Sequence, residues 1–230
     1  FAEMGHDVTC VDVDEDKIAK LSSGEVPIYE PDLDRYFGRA RSEDRLHFTT
    51  NLAEGLDGAK IIFFALPTPP GEDGSADLSY VLDAADDVAN LLVADEERDH
   101  RIVVNKSTVP VGTGDKVEAV FADRGLTIGE EVDVVSNPEF LREGAAVEDF
   151  LKPDRVVIGT SRVRLIPAAS QIFTMMLASV PARAPCAAVA AVIRPVLVSE
   201  TAVAVVVPLE CSPLRKLVTR NPAVPNVSWA

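Results

Sequence analysis

The chain is poor in cysteine and in basic residues, and it lacks a long apolar run. Its three Cys in 230 residues are too few and too scattered for a disulfide framework or a metal site, so we expect no metal. Its formal net charge of −15 argues against nucleic acid and anionic membrane surfaces as partners. The opening FAEMGHD has neither the basic start nor the apolar core of a signal peptide, so we expect a cytoplasmic protein.

The composition changes near residue 160. Residues 161–230 contain no Gly and no Asp, hold eight of the 16 Pro and carry a net charge of +5, against −20 for residues 1–160. Helix caps and turns need Gly, Asn or Asp. The apolar runs Cys186–Ile193 and Thr201–Leu209 are too short to span a membrane. We interpret this Ala/Val/Pro-rich tail as irregular, either out of frame or otherwise not native-like; the alternative is a divergent apolar domain.

Residues 1–160 alternate between apolar strand patterns and helical patterns. The predicted strands are Val8–Val11, Leu46–Thr49, Lys60–Leu66, Arg101–Asn105, Val132–Val135 and Arg155–Ile158. The predicted helices are Asp14–Leu21, Asp32–Arg41, Leu52–Leu56, Leu78–Val93, Gly112–Arg124 and Pro138–Ala146. This alternation predicts an α/β fold with a Rossmann-like, doubly wound parallel sheet. Ligands of such sheets bind beyond the carboxyl ends of the strands, where the candidate site residues fall.

Asp12 ends the first predicted strand of this region. In a Rossmann-like unit, an acidic side chain at this place can accept hydrogen bonds from the adenosine ribose of NAD and disfavour the extra phosphate of NADP. The Gly-rich turn belongs about 20 residues earlier. The chain begins eleven residues before Asp12, so we expect the sheet to lack its first strand and those glycines. The alternative is that Asp12 is the N-cap of the next helix.

Hydroxyl side chains follow two further strands. Thr68 lies in the loop PTPPGED, where it could bind a ribose or a phosphate; the alternative is a plain surface loop. Ser107 and Thr108 lie in KSTVPVGTG, where Gly112 and Gly114 allow close backbone approach before a helix N-terminus that favours anions. The alternative there is an ordinary strand-turn-helix junction.

The segment SNPEFLREG follows the strand Val132–Val135 and is predicted to start a helix, with Asn137 as its N-cap. Glu139 and Glu143, four residues apart, would then share one face. The alternative is that they only complement the helix dipole. Arg142 and Lys152–Arg155 would supply positive charge to an anionic ligand, or else form a solvated face.

The remaining histidines and cysteines carry no recognisable site. His6, His47 and His100 show no ligand spacing and no acidic partner nearby, so we expect ordinary surface or strand residues. Cys10 lies inside a predicted strand and is expected to pack in the core.

The motifs VDVDEDKI, PIYEPDL, KSTVPVG, SNPEFLREG and KPDRVVIG occur in an order that resembles the nucleotide-sugar dehydrogenases of the UDP-glucose 6-dehydrogenase family. The resemblance covers about residues 1–160, which would form the NAD-binding domain. It implies NAD-dependent oxidation of C6 of UDP-glucose to UDP-glucuronate in two hydride transfers, and a homodimer. The alternatives are a dehydrogenase of another nucleotide sugar, such as GDP-mannose or UDP-N-acetylmannosamine, and a non-catalytic nucleotide-binding fragment.

The same resemblance implies roles for individual residues. Glu139 would be the catalytic acid/base, Thr108 would lie near the catalytic water, and Glu143 would approach both the nicotinamide and the reacting sugar. The cofactor-binding residues would be Asp12, Lys17, Thr68, Ser107, Thr108 and Glu143. The residues along the nucleotide sugar would be Glu139, Phe140, Leu141, Arg142 and Glu143.

The chain departs from the family pattern in its cysteines. The family's catalytic Cys forms a thiohemiacetal with the aldehyde intermediate and lies in a downstream Gly-rich motif, preceded by a catalytic Lys and Asn. Cys186 in APCAAVA and Cys211 in LECSPLR lack that context, so neither is assigned the role. We therefore expect no measurable turnover from these 230 residues alone.

Overall fold

The computed structural model describes residues 1–71, 74–95, 99–153 and 155–160, together with the backbone of residues 188–193 and 203–208. Several predictions lie outside these described residues: those on Glu72, Asp73, Asp154, Cys186 and Cys211, on the side chain of Arg155 and on most of the tail. Across the described ranges, no helix combines the length and the apolar character needed to cross a bilayer.

Strands and helices alternate along the chain as the sequence predicts. The strands are β1 (Val8–Val11), β2 (Leu46–Thr49), β3 (Ile61–Phe64), β4 (Arg101–Asn105), β5 (Val132–Ser136), β6 (Arg155–Thr160), β7 (Ala188–Ile193) and β8 (Val203–Pro208). The helices are α1 (Glu15–Ser23), α2 (Leu33–Ser42), α3 (Leu52–Leu56), α4 (Ser79–Ala94), α5 (Thr113–Asp123) and α6 (Ala146–Leu151), after a 3₁₀ turn at Ala2–Met4.

The strands form two sheets. In the first, β1 pairs with β2 in parallel. In the second, the order is β3-β4-β5-β6-β7-β8: β3, β4 and β5 are parallel, β6 meets β5 antiparallel at Ser136 and Gly159, and β7 is parallel to β6. The α/β class with a Rossmann-like parallel sheet is confirmed. The strands β7 and β8, which the sequence analysis did not predict, fall within the two apolar runs of the tail.

The central strands β4 and β5 are mostly apolar, because both faces of the sheet are covered. Successive residues of a strand point to opposite faces, so β4 contributes to two cores. Val103 joins the core that α4 and α5 cover, together with Val117 and Phe121. Ile102 and Val104 join the other core, against which Phe1, Ile61, Phe63 and Phe150 pack. The sheet is therefore fixed from both sides, and the loops at its carboxyl edge start from rigid strands.

The helix predicted at Pro138–Ala146 is wrong, because residues 137–145 form a loop and α6 begins only at Ala146. Asn137 does not act as an N-cap. Its Nδ2 donates to the Val157 carbonyl at 2.8 Å, and its backbone N–H donates to the Asn105 carbonyl at 2.9 Å. These bonds extend the strand edge by one residue and prevent the chain from turning into a helix.

Two further features prevent this loop from forming a helix: a hydrogen bond to the Glu139 side chain and the backbone conformation of Gly144. The carboxylate of Glu139 accepts the Leu141 N–H at 2.6 Å, which closes a local turn in place of a helical bond. Gly144 has a φ of 80°, a left-handed conformation that interrupts a helix and that residues with a Cβ adopt rarely. Glu139 and Glu143 therefore do not share a helix face.

Candidate functional site

The loops after β3 and β4 are tied together beyond the carboxyl ends of these strands. The Ser107 hydroxyl donates to the Leu66 carbonyl at 2.7 Å and accepts the Leu66 N–H at 2.9 Å. The Thr68 hydroxyl donates to the Thr108 carbonyl at 3.2 Å. Ser107 thus fixes the turn from which the exposed Thr108 projects, and its own hydroxyl is already engaged.

Lys106 links this turn to the loop after β5. Its ammonium donates to the Asn137 carbonyl at 3.4 Å. Burial lowers the pKa of Lys106, and the carboxylate of Glu139 raises it in part, so the two charges lie within electrostatic reach. No role was predicted for Lys106 from the sequence. A lysine that closes a buried strand next to two hydroxyl residues was the available signal.

A cavity of about 240 Å³ lies between the start of α5 and the ends of β4, β5 and β6, with Asn105, Gly112, Thr113 and Ser136 among its lining. Gly112 has a φ of 89°, which lets the chain turn from the loop into α5. Asn105 is 1% exposed, and neither polar atom of its side chain has a hydrogen-bond partner within the described part of the chain. From the sequence, Asn105 is predicted only as the last residue of a strand, and its buried amide was not foreseen.

Asp12 lies directly after β1, where the sequence predicts it. Its carboxylate forms an ion pair with the Lys17 ammonium and accepts the Asp14 N–H at 3.1 Å. The hydrogen bond from Lys17 is the main reason that the pKa of Asp12 is lowered. The N-cap of α1 is Asp14, which accepts the Lys17 N–H at 3.0 Å, so the alternative of Asp12 as N-cap is wrong.

The surroundings of Asp12 fit the adenosine end of NAD. The side chains of Asp12 and Lys17 are 29% and 47% exposed, so a ligand can reach both. An ionised carboxylate at the end of a parallel strand can accept hydrogen bonds from the two ribose hydroxyls. The partly exposed ammonium beside it leaves the pair nearly neutral, so that it does not repel a cofactor carrying phosphates.

The residues expected along the nucleotide sugar lie in the open loop after β5. Phe140 and Leu141 are 45% and 39% exposed, unusually high for apolar side chains, and Glu143 is exposed as well. The guanidinium of Arg142 donates to both carboxylate oxygens of Asp149, at 2.7 and 3.0 Å. These bonds lower the pKa of Asp149 to about 2. Arg142 is therefore already paired with an acid rather than simply solvated.

Glu30 joins this loop to the region around α1. Its carboxylate accepts the Gly144 N–H at 2.9 Å and the Ala146 N–H at 2.7 Å. Glu30 lies within the motif PIYEPDL, and no role was predicted for it from the sequence. Its two partners lie 114 and 116 positions further along the chain, so no local pattern pointed to them.

The expectation that His100 has no acidic partner is wrong. Its Nε2 lies 2.9 Å from Oδ2 of Asp133, a carboxylate on β5 that is almost completely buried. The pair is 33 positions apart in the chain, and for this reason the sequence gave no sign of it. It lies at the amino-terminal side of β5, away from the loops described above, so it is a structural contact.

Direct hydrogen bonds or electrostatic contacts thus bring five of these residues together at one edge of the larger sheet: Thr68, Lys106, Ser107, Thr108 and Glu139. Asp12 and Lys17 lie at the carboxyl end of β1 in the smaller sheet. Glu30, in the loop between α1 and α2, connects that part of the chain to residues 144–146.

Comparison with known proteins shows the family of the chain. Residues 1–177 match the family model for the NAD binding domain of the UDP-glucose/GDP-mannose dehydrogenase family. The chain is 47% identical over 180 residues to the UDP-glucose 6-dehydrogenase of Pseudomonas aeruginosa, covering 77% of this chain and 38% of that protein. It is 50% identical over 160 residues to the enzyme of Rhizobium meliloti, covering 69% of this chain and 35% of that protein.

Solved structures of nucleotide-sugar dehydrogenases also match this chain. A UDP-glucose dehydrogenase from Pyrobaculum islandicum matches with a TM-score of 0.70 and 39% identity, covering 84% of this chain and 42% of that one. A GDP-mannose dehydrogenase from Pseudomonas aeruginosa matches with a TM-score of 0.72 and 27% identity, covering 85% of this chain and 42% of that one. The chain spans less than half the length of these relatives. It belongs to the UDP-glucose/GDP-mannose dehydrogenase family, and its matched residues are that family's NAD-binding domain.

Proposed function

We propose that this chain supplies the NAD-binding part, and part of the sugar-nucleotide site, of an NAD-dependent oxidation of UDP-glucose at C6 to UDP-glucuronate. The observation that carries the proposal is the junction of the three loops after β3, β4 and β5. It holds three hydroxyl residues (Thr68, Ser107 and Thr108) and the Glu139 carboxylate together where a parallel sheet binds its ligand. When bound there, NAD supplies the acceptor for the hydride that leaves C6.

The chain's own residues have separable tasks in this proposal. Asp12 accepts hydrogen bonds from the adenosine ribose, and Lys17 balances its charge. The hydroxyl of Thr108 orients a water or a substrate oxygen at the nicotinamide end. Glu139 takes up and returns a proton, and the N–H of Leu141 holds one of its oxygens in place at 2.6 Å.

The positive charge of Lys106 supports the proposed role of Glu139. Glu139 raises the pKa of Lys106 in part, against the lowering by burial, so the two charges interact across the junction. Since Lys106 is partly buried, little water screens this interaction. The ammonium therefore helps to hold the Glu139 carboxylate at the proposed reaction centre.

We favour UDP-glucose over other nucleotide sugars because of sequence identity to the solved dehydrogenases, since the similarity of backbone structure does not distinguish them. The two solved dehydrogenases have nearly the same TM-score, 0.70 and 0.72, but identities of 39% and 27%. A sister activity on GDP-mannose is the second candidate. Ligand-observed NMR with this chain would separate them, because we expect stronger saturation transfer to UDP-glucose than to GDP-mannose.

The cofactor part is tested by titrating the chain with NAD. Replacing a hydrogen-bonding carboxylate removes about 1.5–3 kcal/mol, so Asp12→Ala should weaken NAD binding by roughly 10-fold to 100-fold and reduce the preference for NAD over NADP. Asp16→Ala is the matched control, because Asp16 is an exposed acid in the first turn of α1. Equal affinities of the two variants would remove Asp12 from the site.

A further inference from the structure

We infer that Glu30 is a positioning residue for the loop of residues 139–145, which we call the sugar loop. It acts with Asp149 to fix the position of Glu143. The inference rests on the proposed function, because the same loop carries the residues expected along the nucleotide sugar. Glu30 itself lies outside the sugar loop, 114 positions before Gly144.

The two carboxylates hold the backbone on either side of Glu143. Asp149 accepts the N–H of Arg142 at 2.9 Å, in addition to the bonds from its guanidinium. Glu30 accepts the N–H of Gly144 at 2.9 Å. The residue before Glu143 and the residue after it are therefore each bonded to a separate acid: Glu30 holds the peptide unit between Glu143 and Gly144 directly, and Asp149 holds the backbone one peptide unit further upstream.

A carboxylate suits this task better than any other side chain. It offers two oxygens, and Glu30 uses one for Gly144 and the other for Ala146. Hydrogen bonds to an ionised acceptor are about twice as strong as neutral ones. A glutamine in this place would offer one acceptor oxygen and turn an NH₂ group toward a backbone donor.

Glu30 is held rigidly enough to serve as an anchor. Pro31 follows it and restricts the backbone of the preceding residue to extended conformations. The carbonyl of Glu30 accepts the Leu33 N–H at 3.1 Å, which closes a turn into α2. Asp32, at the bend, has a φ of 64°, a conformation that Asp tolerates better than most residues. The anchor therefore belongs to an ordered turn.

The position of Glu30 also links the two ends of the proposed site. It lies in the segment between α1, whose Lys17 pairs with Asp12, and α2. A single short segment thus runs from the ribose-binding carboxylate to the anchor of the sugar loop. We expect loss of Glu30 to release the sugar loop while leaving the ribose site intact.

The test uses the 230-residue chain and the variants Glu30→Gln and Glu30→Ala. Amide hydrogen exchange measured by NMR at Gly144 and Ala146 should accelerate at least tenfold in Glu30→Ala and by a smaller factor in Glu30→Gln. The dissociation constant for UDP-glucose should rise at least fivefold in Glu30→Ala, whereas that for NAD should change less than twofold. Glu25→Gln, an exposed acid in the same loop, is the control and should change none of these values.

The outcomes separate this inference from the proposed function. Unchanged exchange at Gly144 and Ala146 in Glu30→Ala would overturn the inference, whatever the chain binds. Accelerated exchange with an unaltered UDP-glucose constant would also overturn it, because the anchor would then be merely structural. If the unaltered chain binds no nucleotide sugar, the proposed substrate fails, while the exchange rates still decide whether Glu30 fixes the loop.

Discussion

The contact between α3 and β1 leads to a quantitative prediction for Gly55→Ala. A Cβ on Gly55 would lie 2.2 Å from Cγ2 of Val11, a separation that no real Cβ contact tolerates. Val11 must therefore change rotamer or β1 must shift. Such overpacking destabilises by about 1–3 kcal/mol, and the better helix propensity of Ala offsets up to about 1 kcal/mol. We expect a net loss of about 1–2 kcal/mol in the free energy of unfolding.

A double-mutant cycle isolates this clash. Val11→Ala removes Cγ2, so adding Gly55→Ala to that variant should be neutral or stabilising by up to about 1 kcal/mol. Gly38→Ala is the matched control, because Gly38 lies within α2 and a Cβ added there would meet no atom of the described residues within 4 Å. Urea unfolding followed by circular dichroism gives the free energy of unfolding of each variant. The reasoning fails if Gly55→Ala stabilises as much as Gly38→Ala, or if Val11→Ala does not relieve the loss.

Two further predictions concern charged pairs. The pKa of Asp149 lies at about 2, below its usual 3.8, so its pair with Arg142 contributes stability above about pH 4 that disappears as the pH falls through 2. Asp149→Asn should therefore lower the melting temperature at pH 6, and the difference should shrink toward zero as the pH falls below about 2; a constant difference across this range would contradict it. His100→Ala removes a partner of the buried Asp133 and should destabilise by about 1–3 kcal/mol in urea unfolding. The exposed His47→Ala should have almost no effect.

The sequence was most informative where local pattern decides the structure. The strands β1, β2 and β4 are observed with the predicted bounds, because a short run of β-branched and other apolar residues between turn residues leaves few other structures open. The helix predicted from Asp14 has Asp14 as its N-cap, and the alternative that Asp12 caps it is wrong, since the carboxylate of Asp12 pairs with the Lys17 side chain while that of Asp14 accepts the Lys17 N–H.

The sequence was least informative where residues far apart in the chain determine the local structure. Asn137, followed by proline and acidic residues, satisfies every local rule for a helix start. The structure instead bonds it to the strand residues Asn105 and Val157, and Glu30 provides the acceptors that fix residues 144–146. Even Val157, the nearest of these partners along the chain, lies 20 positions from the residue that it binds, so no local pattern could have revealed them.

The division of the strands into a small and a large sheet has a consequence for local unfolding. The pair β1–β2 is joined through four residue pairs, whereas β4 is bonded along both of its edges. Segments with few cross-strand partners open at lower free energy than the core of a protein. We expect amide protons of Val8 and Cys10, which face β2, to exchange with solvent through a partial opening, well before those of Val103 and Val104. A dinucleotide bound at Asp12 would suppress this local unfolding. We therefore expect the amide protons of β1 to exchange more slowly when the dinucleotide is bound.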